Sequence, residues 1–320
     1  MALYRPKAPP DRQGVSASCV VTPAGPWATV AEFLIARFPG VPAATWLQRL
    51  QDGDVIDDAG QVVSAQDAFT AKRRLYYYRA VEAEPPIPFD EVVLWRNEHL
   101  LVVDKPHFLP VLPSGKYLAE TVLTRLKNKL GLNELSPIHR IDRDTAGLVL
   151  FSIQRNSRDA YQALFRERKI HKTYEAIARW NPDLPWPLTR ETRVAPSAHF
   201  MQQEEVDGPP NTLTHIRPLE VLDEFARYEL KPVTGHRHQL RVHMNALGLS
   251  IVGDGIYPVL TPEGQTDTQR PLQLLAKAIT FTDPLSRLSM QFESRRQLRV
   301  LSDVNADLEE IVATGRIHKA

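Results

Sequence analysis

Cysteine is nearly absent from this chain: Cys19 is the single one in 320 residues. That excludes an intramolecular disulfide and any four-cysteine zinc site, and it suits a reducing compartment. No apolar run is long enough to span a membrane, and no charged-then-apolar leader opens the sequence. The expected setting is therefore the cytoplasm, with no membrane partner. A phosphate-binding glycine loop is missing as well. Gly115-Lys116 lacks the earlier glycine that such a loop needs, because Pro110 occupies that position. Internal repeats and low-complexity tracts are also absent. What remains is an ordinary globular composition, 43% hydrophobic and 24% charged, at a length that suits about two domains.

The net charge is only +1, which does not announce a nucleic-acid binder; its distribution says more. From Thr121 to Trp180 there are 12 Lys and Arg against 6 Asp and Glu. Lys231 to Asn245 adds Lys231, Arg237 and Arg241 with no acid. Clustered positive charge is the footprint of phosphate contacts even on a neutral chain, although a basic helix face that only keeps a protein soluble looks the same.

Residues 1–25, rich in proline and small polar residues, read as a loose N-terminal arm. Residues 26–84 read as a small domain. In it Val30, Phe33, Leu34 and Phe38 fall at helical spacing, and Trp46, Leu47 and Leu50 repeat the pattern before Asp52-Gly53-Asp54. Short strands around a turn at Asp58-Ala59-Gly60 follow. The stretch Val81 to Asp90, with Pro85, Pro86 and Pro88 among acids, reads as a stiff linker, and the boundary is taken at 85–90. Beyond it, 91–302 has an α+β pattern, and 303–320 form a C-terminal tail. A hairpin is predicted from Val92–Trp95 and Leu100–Val103, and an amphipathic helix over Ala119–Leu130 with Gly131 as its stop. Gly147–Ile153 reads as a buried strand, and Ser157 as the cap of a helix carrying Ala160, Leu164 and Phe165 inward. Thr173–Trp180 and Phe225–Val233 alternate as strands. Leu240, Met244 and Leu247 share a helix face that ends at Gly248.

The most informative run is Ser136 to Ser152, which holds Asp142 and Asp144 beside Arg140 and Arg143. A carboxylate among cations stays ionised near neutral pH, the condition for one that attacks substrate or takes a proton. A charged loop is usually just a solvated set of ion pairs. Here Thr145-Ala146-Gly147 follows at once and makes a small-residue corner where a ligand can approach the backbone. His139-Arg140 near Asp142 invites comparison with a kinase catalytic loop, but Ile141 intervenes and the companion Asp-Phe-Gly is missing. His236, His238 and His243 do not have a recognised zinc spacing, because the first two precede the predicted helix and the third lies within it.

Three segments remain that can form one site: the Asp142 corner, the strand entry Lys172-Thr173-Tyr174, and the loop and helix Gly235 to His243. An aromatic ring to stack on an extruded base, an arginine to hold a carboxylate ionised, and the carboxylate itself suffice for chemistry on a nucleobase.

At these residues the chain resembles the RluA family of RNA pseudouridine synthases. His139-Arg140-Ile141-Asp142-Arg143-Asp144-Thr145-Ala146-Gly147 is similar to its signature, and Val103-Asp104-Lys105-Pro106 to its Lys-Pro element. Lys172-Thr173-Tyr174 resembles the segment with the active-site tyrosine. Thr234-Gly235, His238-Gln239-Leu240-Arg241-Val242-His243, Gly253-Asp254 and Tyr257 resemble its third block. The resemblance spans about residues 90–300. It implies a pseudouridine synthase fold with a mixed, largely antiparallel central sheet flanked by helices, 91–302 being the catalytic domain. It also implies isomerisation of uridine in rRNA or tRNA by a monomer without metal or organic cofactor. Asp142, Tyr174 and Arg241 become the catalytic residues, and His139, Arg140, Arg143, Thr145, Lys105, His238 and Gln239 the substrate-binding ones. The alternatives are an RNA-binding protein of the same fold without turnover, and a metal-dependent hydrolase built on the histidines. Trp46 to Val63 weakly resembles an S4-type RNA-binding module, without the basic residues expected in its first helices. Other departures are Phe108 where the family has glycine, His236 where it has Arg or Lys, Ala146 for a common serine, and Ala276 for the histidine of a Leu-Leu-His-Ala element.

Overall fold

A computed structural model describes residues 9–79, 84–262, 265, 267–304 and 306. The chain divides into two compact units, Met1–Pro85 with Leu112–Asn133, and Pro86–Val111 with Glu134–Ala320. The segment 112–133 thus groups with the N-terminal residues, not with the α+β segment that surrounds it in sequence. Most of the 303–320 tail and Val81–Ala83 of the linker lie outside the described residues.

In the first unit, β1 (Ser18–Val21), α1 (Val30–Arg37), α2 (Ala43–Gln51), β2 (Val55–Asp57) and β3 (Arg74–Tyr77) form two helices and a three-stranded antiparallel sheet ordered β1-β3-β2. The helical spacing of Val30, Phe33 and Leu34 buries all three, with Trp46 and Leu50 from α2. Leu47, expected inside, is exposed. The loose-arm reading of 1–25 fails for Ser18–Val21, which alternates half-buried and exposed residues and pairs along β3. The sequence between Val111 and Asn133 forms the helix α3 (Val122–Leu130). It starts three residues later than its periodicity suggests, because Thr121 is its cap and accepts the Thr124 N–H. Gly131 ends it in the left-handed region, as predicted.

The second unit is built on a mixed sheet that carries the site. It comprises β4 (Val92–Arg96), β5 (Leu100–Lys105), β6 (Ser136–Pro137), β7 (Ala146–Ser152), β8 (His171–Arg179), β9 (Leu188–Pro196), β10 (Gln203–Val206), β11 (Thr212–Leu222), β12 (Phe225–Pro232), β13 (Leu274–Thr282) and β14 (Ser289–Glu293). The path is β10-β9-β11-β12-β8-β13-β7-β5-β4, with β14 on β13 and β6 on β7. Every pairing is antiparallel except β13 with β7. β5 and β7 are buried along their full length, which explains their near-continuous apolar sequence. The helices α4 (Arg158–Arg166) and α5 (Gln239–Ala246) flank the sheet. In α4 the predicted Leu164 is buried together with Tyr161, while Ala160 and Phe165 are half-buried. Ser157 stands at the N-cap as expected, but its hydroxyl donates to Gln154 O and makes no capping bond. In α5, Leu240 and Met244 pack on Ala176, Tyr228 and Leu274 of the sheet. No helix among the described residues is long and apolar enough to cross a membrane.

Candidate active site

The loop from Ile138 to Thr145 joins β6 to β7 and is held from beneath. Lys105, at the end of β5, is fully buried, and its Nζ donates to the Pro106, Leu109 and Arg143 carbonyls, each at 2.8 Å. Burial pulls its pKa down to about 7, against the pull of Asp144 and Asp142, yet three carbonyls match the three N–H bonds of an ammonium. Lys105 therefore braces the loop that carries Asp142, with its three N–H bonds spent on backbone carbonyls. His107 Nδ1 pairs with the Asp144 carbonyl at 2.7 Å, which makes it the protonated nitrogen. At Phe108 the backbone φ is +66°, a conformation glycine adopts freely.

The corner closes at Gly147, φ +107°. A Cβ on it would lie 2.3 Å from the Ala276 carbonyl of the crossing β13. In that register Ala276 lies beside both Gly147 and Tyr174, and Leu275 beside Ala146. Two of the departures from the family pattern, Ala146 and Ala276, thus fall at one strand crossing.

Asp142 is 31% exposed at its side chain, so a ligand can reach it. Arg241, 1% exposed, donates from Nη1 to Asp142 Oδ2 at 3.1 Å. Its other edge grips Asp254 in two bonds, Nε to Oδ2 at 2.8 Å and Nη2 to Oδ1 at 2.5 Å. Asp254 also accepts the Ile256 and Tyr257 N–H groups. Burial opposes ionisation of Asp142, but His238, Arg241 and Lys105 outweigh it and hold its pKa below the ordinary carboxylate value. His238 is itself pulled down to about 4, by burial first, so at neutral pH Arg241 is the cation in contact with Asp142.

Tyr174, on β8 between Leu230 of β12 and Ala276 of β13, lines the same cavity. Burial and the Asp142 charge raise its pKa, so the phenol keeps its proton throughout the neutral range. The cavity is about 510 Å³, within the size range of small-ligand sites. Among the described residues its lining includes Arg140, Arg166, Arg168, Lys172 and Arg241, against Asp142 as the only acid.

The remaining candidates divide in two. His139, Arg140, Thr145, His238 and Gln239 line the cavity. Within this group, Arg140 is exposed. The His139 ring stacks on Phe165, accepts the Leu150 N–H at 3.1 Å, and is kept neutral by burial, with a pKa of about 3. Gln239 is buried and has all its amide positions engaged: it accepts from Thr234 Oγ1 and His236 N–H and donates to Leu213 O and Thr214 Oγ1. It shapes the loop instead of offering free groups to a ligand. Arg143 bridges Asp144 at 2.8 Å and does not line the cavity.

The three histidines do not converge. His243 is fully buried, with Nε2 near Thr192 and Thr212 and Nδ1 near Thr214. His238 faces Asp142 and Tyr257. Among the described residues no group of His, Cys, Asp and Glu is arranged to hold a metal ion. Sequence reasoning assigned no role to Asp254, Tyr257, His107 or Gln203. For Asp254 a signal existed, the Gly253-Asp254 pair beside Arg241's block. For Gln203 there was none, because it acts through its backbone N–H.

Comparison with known proteins places this mixed sheet and its cation-lined cavity in a class, the pseudouridine synthases. The profile of the RNA pseudouridylate synthase family matches residues 99–246. The dual-specificity RNA pseudouridine synthase RluA of Salmonella typhi is 34% identical over 215 residues, 63% of this chain and 91% of that protein. The Haemophilus influenzae RluA is 30% identical, over 67% of this chain and 97% of its own length. An uncharacterized RNA pseudouridine synthase of Synechocystis is also 30% identical, over 71% and 78%. Among solved structures, human RNA pseudouridylate synthase domain containing 1 shares the fold at TM-score 0.55, with 21% identity over 71% of this chain and 98% of that one. The chain belongs to the RluA family of RNA pseudouridine synthases.

Proposed function

We propose that this chain isomerises particular uridines of a structured RNA, ribosomal or transfer, to pseudouridine, with Asp142 as the catalytic carboxylate. The observation that carries this reading is the state of Asp142: ionised, held through one oxygen by Arg241, and open to the cavity. The target uridine flips from its stack into the cavity and meets the Tyr174 ring, at a cost of a few kcal/mol in lost stacking. Asp142 then promotes cleavage of the glycosidic bond, through attack on C1′ or removal of the 2′ proton. Both routes start from an ionised carboxylate. The freed uracil turns and rejoins through C5, which displaces Asp142 from C1′ or is accompanied by return of the 2′ proton. C5 then gives up its proton to solvent and N1 takes one, so the product is an isomer, with the Tyr174 ring beside it. Exposed Arg140 meets phosphate or fills the vacated stack, and Arg166 and Arg168 extend the positive rim. The protein acts as a monomer in the cytoplasm.

The test is to map pseudouridine in total RNA from cells with and without this gene, then to treat the deficient RNA with purified protein. Sites that disappear with the gene and return on treatment are the expected result. An unchanged map with tight RNA binding would leave a binding protein without turnover.

A further inference from the structure

The Asp142 carboxylate is held on one side. Arg241 Nη1 donates to Oδ2, and His238 Nε2 faces the same oxygen at 3.8 Å. Among the described residues, nothing hydrogen-bonds to Oδ1. His238 is itself firmly placed. It is buried, it stands at the N-terminal cap of α5, and its backbone is in the left-handed region at φ +55°, uncommon for a residue other than glycine. Its Nδ1 lies 3.1 Å from Tyr257 Oη, and the two rings meet edge to face. Tyr257 Oη also accepts the Gln203 backbone N–H at 2.7 Å.

These contacts select one tautomer. With the Gln203 N–H already donated to it, the Tyr257 hydroxyl has its own proton available for Nδ1. The opposite tautomer would leave that phenolic proton without its partner and point the bare Nε2 lone pair at a carboxylate oxygen. Burial keeps the ring neutral at physiological pH, so a single ring proton is in question. That proton belongs on Nε2, facing Asp142. A separation of 3.8 Å exceeds a hydrogen bond, and catalytic contacts of this kind commonly tighten when substrate closes the site.

We propose that His238 is a positioning residue for Asp142: in the Nε2–H tautomer chosen by Tyr257, it joins Arg241 in holding Oδ2 and leaves Oδ1 as the oxygen that meets the substrate sugar. The proposal rests on Asp142 as the catalytic carboxylate. It makes the Gln203–Tyr257–His238 chain part of the reaction machinery without contact to the reacting atoms.

The test combines spectroscopy and kinetics on the full-length chain. Long-range proton–nitrogen correlation on histidine-labelled protein should show His238 as the Nε2–H tautomer, and Tyr257→Phe should weaken that preference. The kinetic probe is total RNA tritiated at uridine C5, taken from cells lacking this chain, with tritium release followed at saturating enzyme. Tyr257→Phe should slow release about tenfold, the loss of roughly one hydrogen bond, with RNA affinity unchanged. His238→Ala should slow it further. A Nδ1–H tautomer in the unaltered protein, or an undiminished rate in Tyr257→Phe, would overturn the proposal. Release by Asp142→Asn would overturn the reading of Asp142, and the proposal with it. An inactive Asp142→Asn beside a fully active Tyr257→Phe would overturn the proposal alone.

Discussion

Two corners of the second unit deliver an aspartate to the same guanidinium. One runs through Asp142 to Gly147 and the other through Gly253 to Asp254. Each uses a glycine at positive φ whose missing Cβ lets a neighbouring backbone pass, the Ala276 carbonyl at Gly147 and the Pro271 carbonyl at Gly253. Beyond that the two differ. Both Asp254 oxygens are bonded to Arg241, the carboxylate is sealed, and two backbone N–H groups complete it. Asp142 takes one bond from Arg241 and keeps an open side. A buried carboxylate bonded through both oxygens fixes its partner, whereas one held on a single oxygen is available for chemistry. Asp254 orients Arg241, and Arg241 prepares Asp142.

The comparison can be tested by removing its parts. Asp254→Ala leaves the Arg241 charge buried without its main partner, and stability should fall by about 3–5 kcal/mol, read from denaturant melts. Gly147→Ala forces a side chain into the left-handed region and against Ala276. The backbone term alone is about 1–3 kcal/mol, so the melting temperature should drop and activity should fall with the displaced loop. Acid should weaken the protein in a defined window. His139, His238 and His243 are held neutral by burial, with pKa values of about 3, 4 and 4 against an ordinary 6.5. Between pH 6.5 and about 4 the unfolded chain takes up protons at these residues and the folded chain does not. Stability should thus be complete above that window and decline as pH falls through it, which thermal melts at stepped pH would follow. Asp142 remains ionised across the same range, so catalysis should persist until the fold gives way. The smallest effect belongs to the exposed rim: Arg140→Ala should weaken RNA binding and reduce its salt dependence by about one unit of slope, without altering stability.

The Asp142 corner was legible because its chemistry is local: charge, small residues and the onset of an apolar strand all fall within one short run. The Arg241 contact, 99 positions away in sequence, was legible only through resemblance. Its anchor Asp254 stood in the same resembling block, with no role attached to it. Lys105 entered as a substrate-binding residue through the resemblance alone, while its burial and its three carbonyl partners are tertiary facts. The meander from Leu188 to Leu222 left little trace in the sequence. β9 has few buried positions to set a hydrophobic alternation, and β11 has Pro218 at a register shift. Yet the hairpin that starts from β9 supplies Gln203 and, through it, Tyr257. Ser18–Val21 was hidden for the opposite reason, a short edge strand inside a proline-rich stretch.

The central claim is that one of the two aspartates on Arg241 reacts and the other holds. Asp142→Asn and Asp254→Asn, compared side by side with uridine-tritiated RNA at saturating enzyme, test it most directly. Asp142→Asn should release no tritium, a loss of at least about a thousandfold, while its RNA affinity and melting temperature match the unaltered protein. Asp254→Asn should melt earlier and still turn over. Tritium release by a folded, RNA-binding Asp142→Asn would contradict the account.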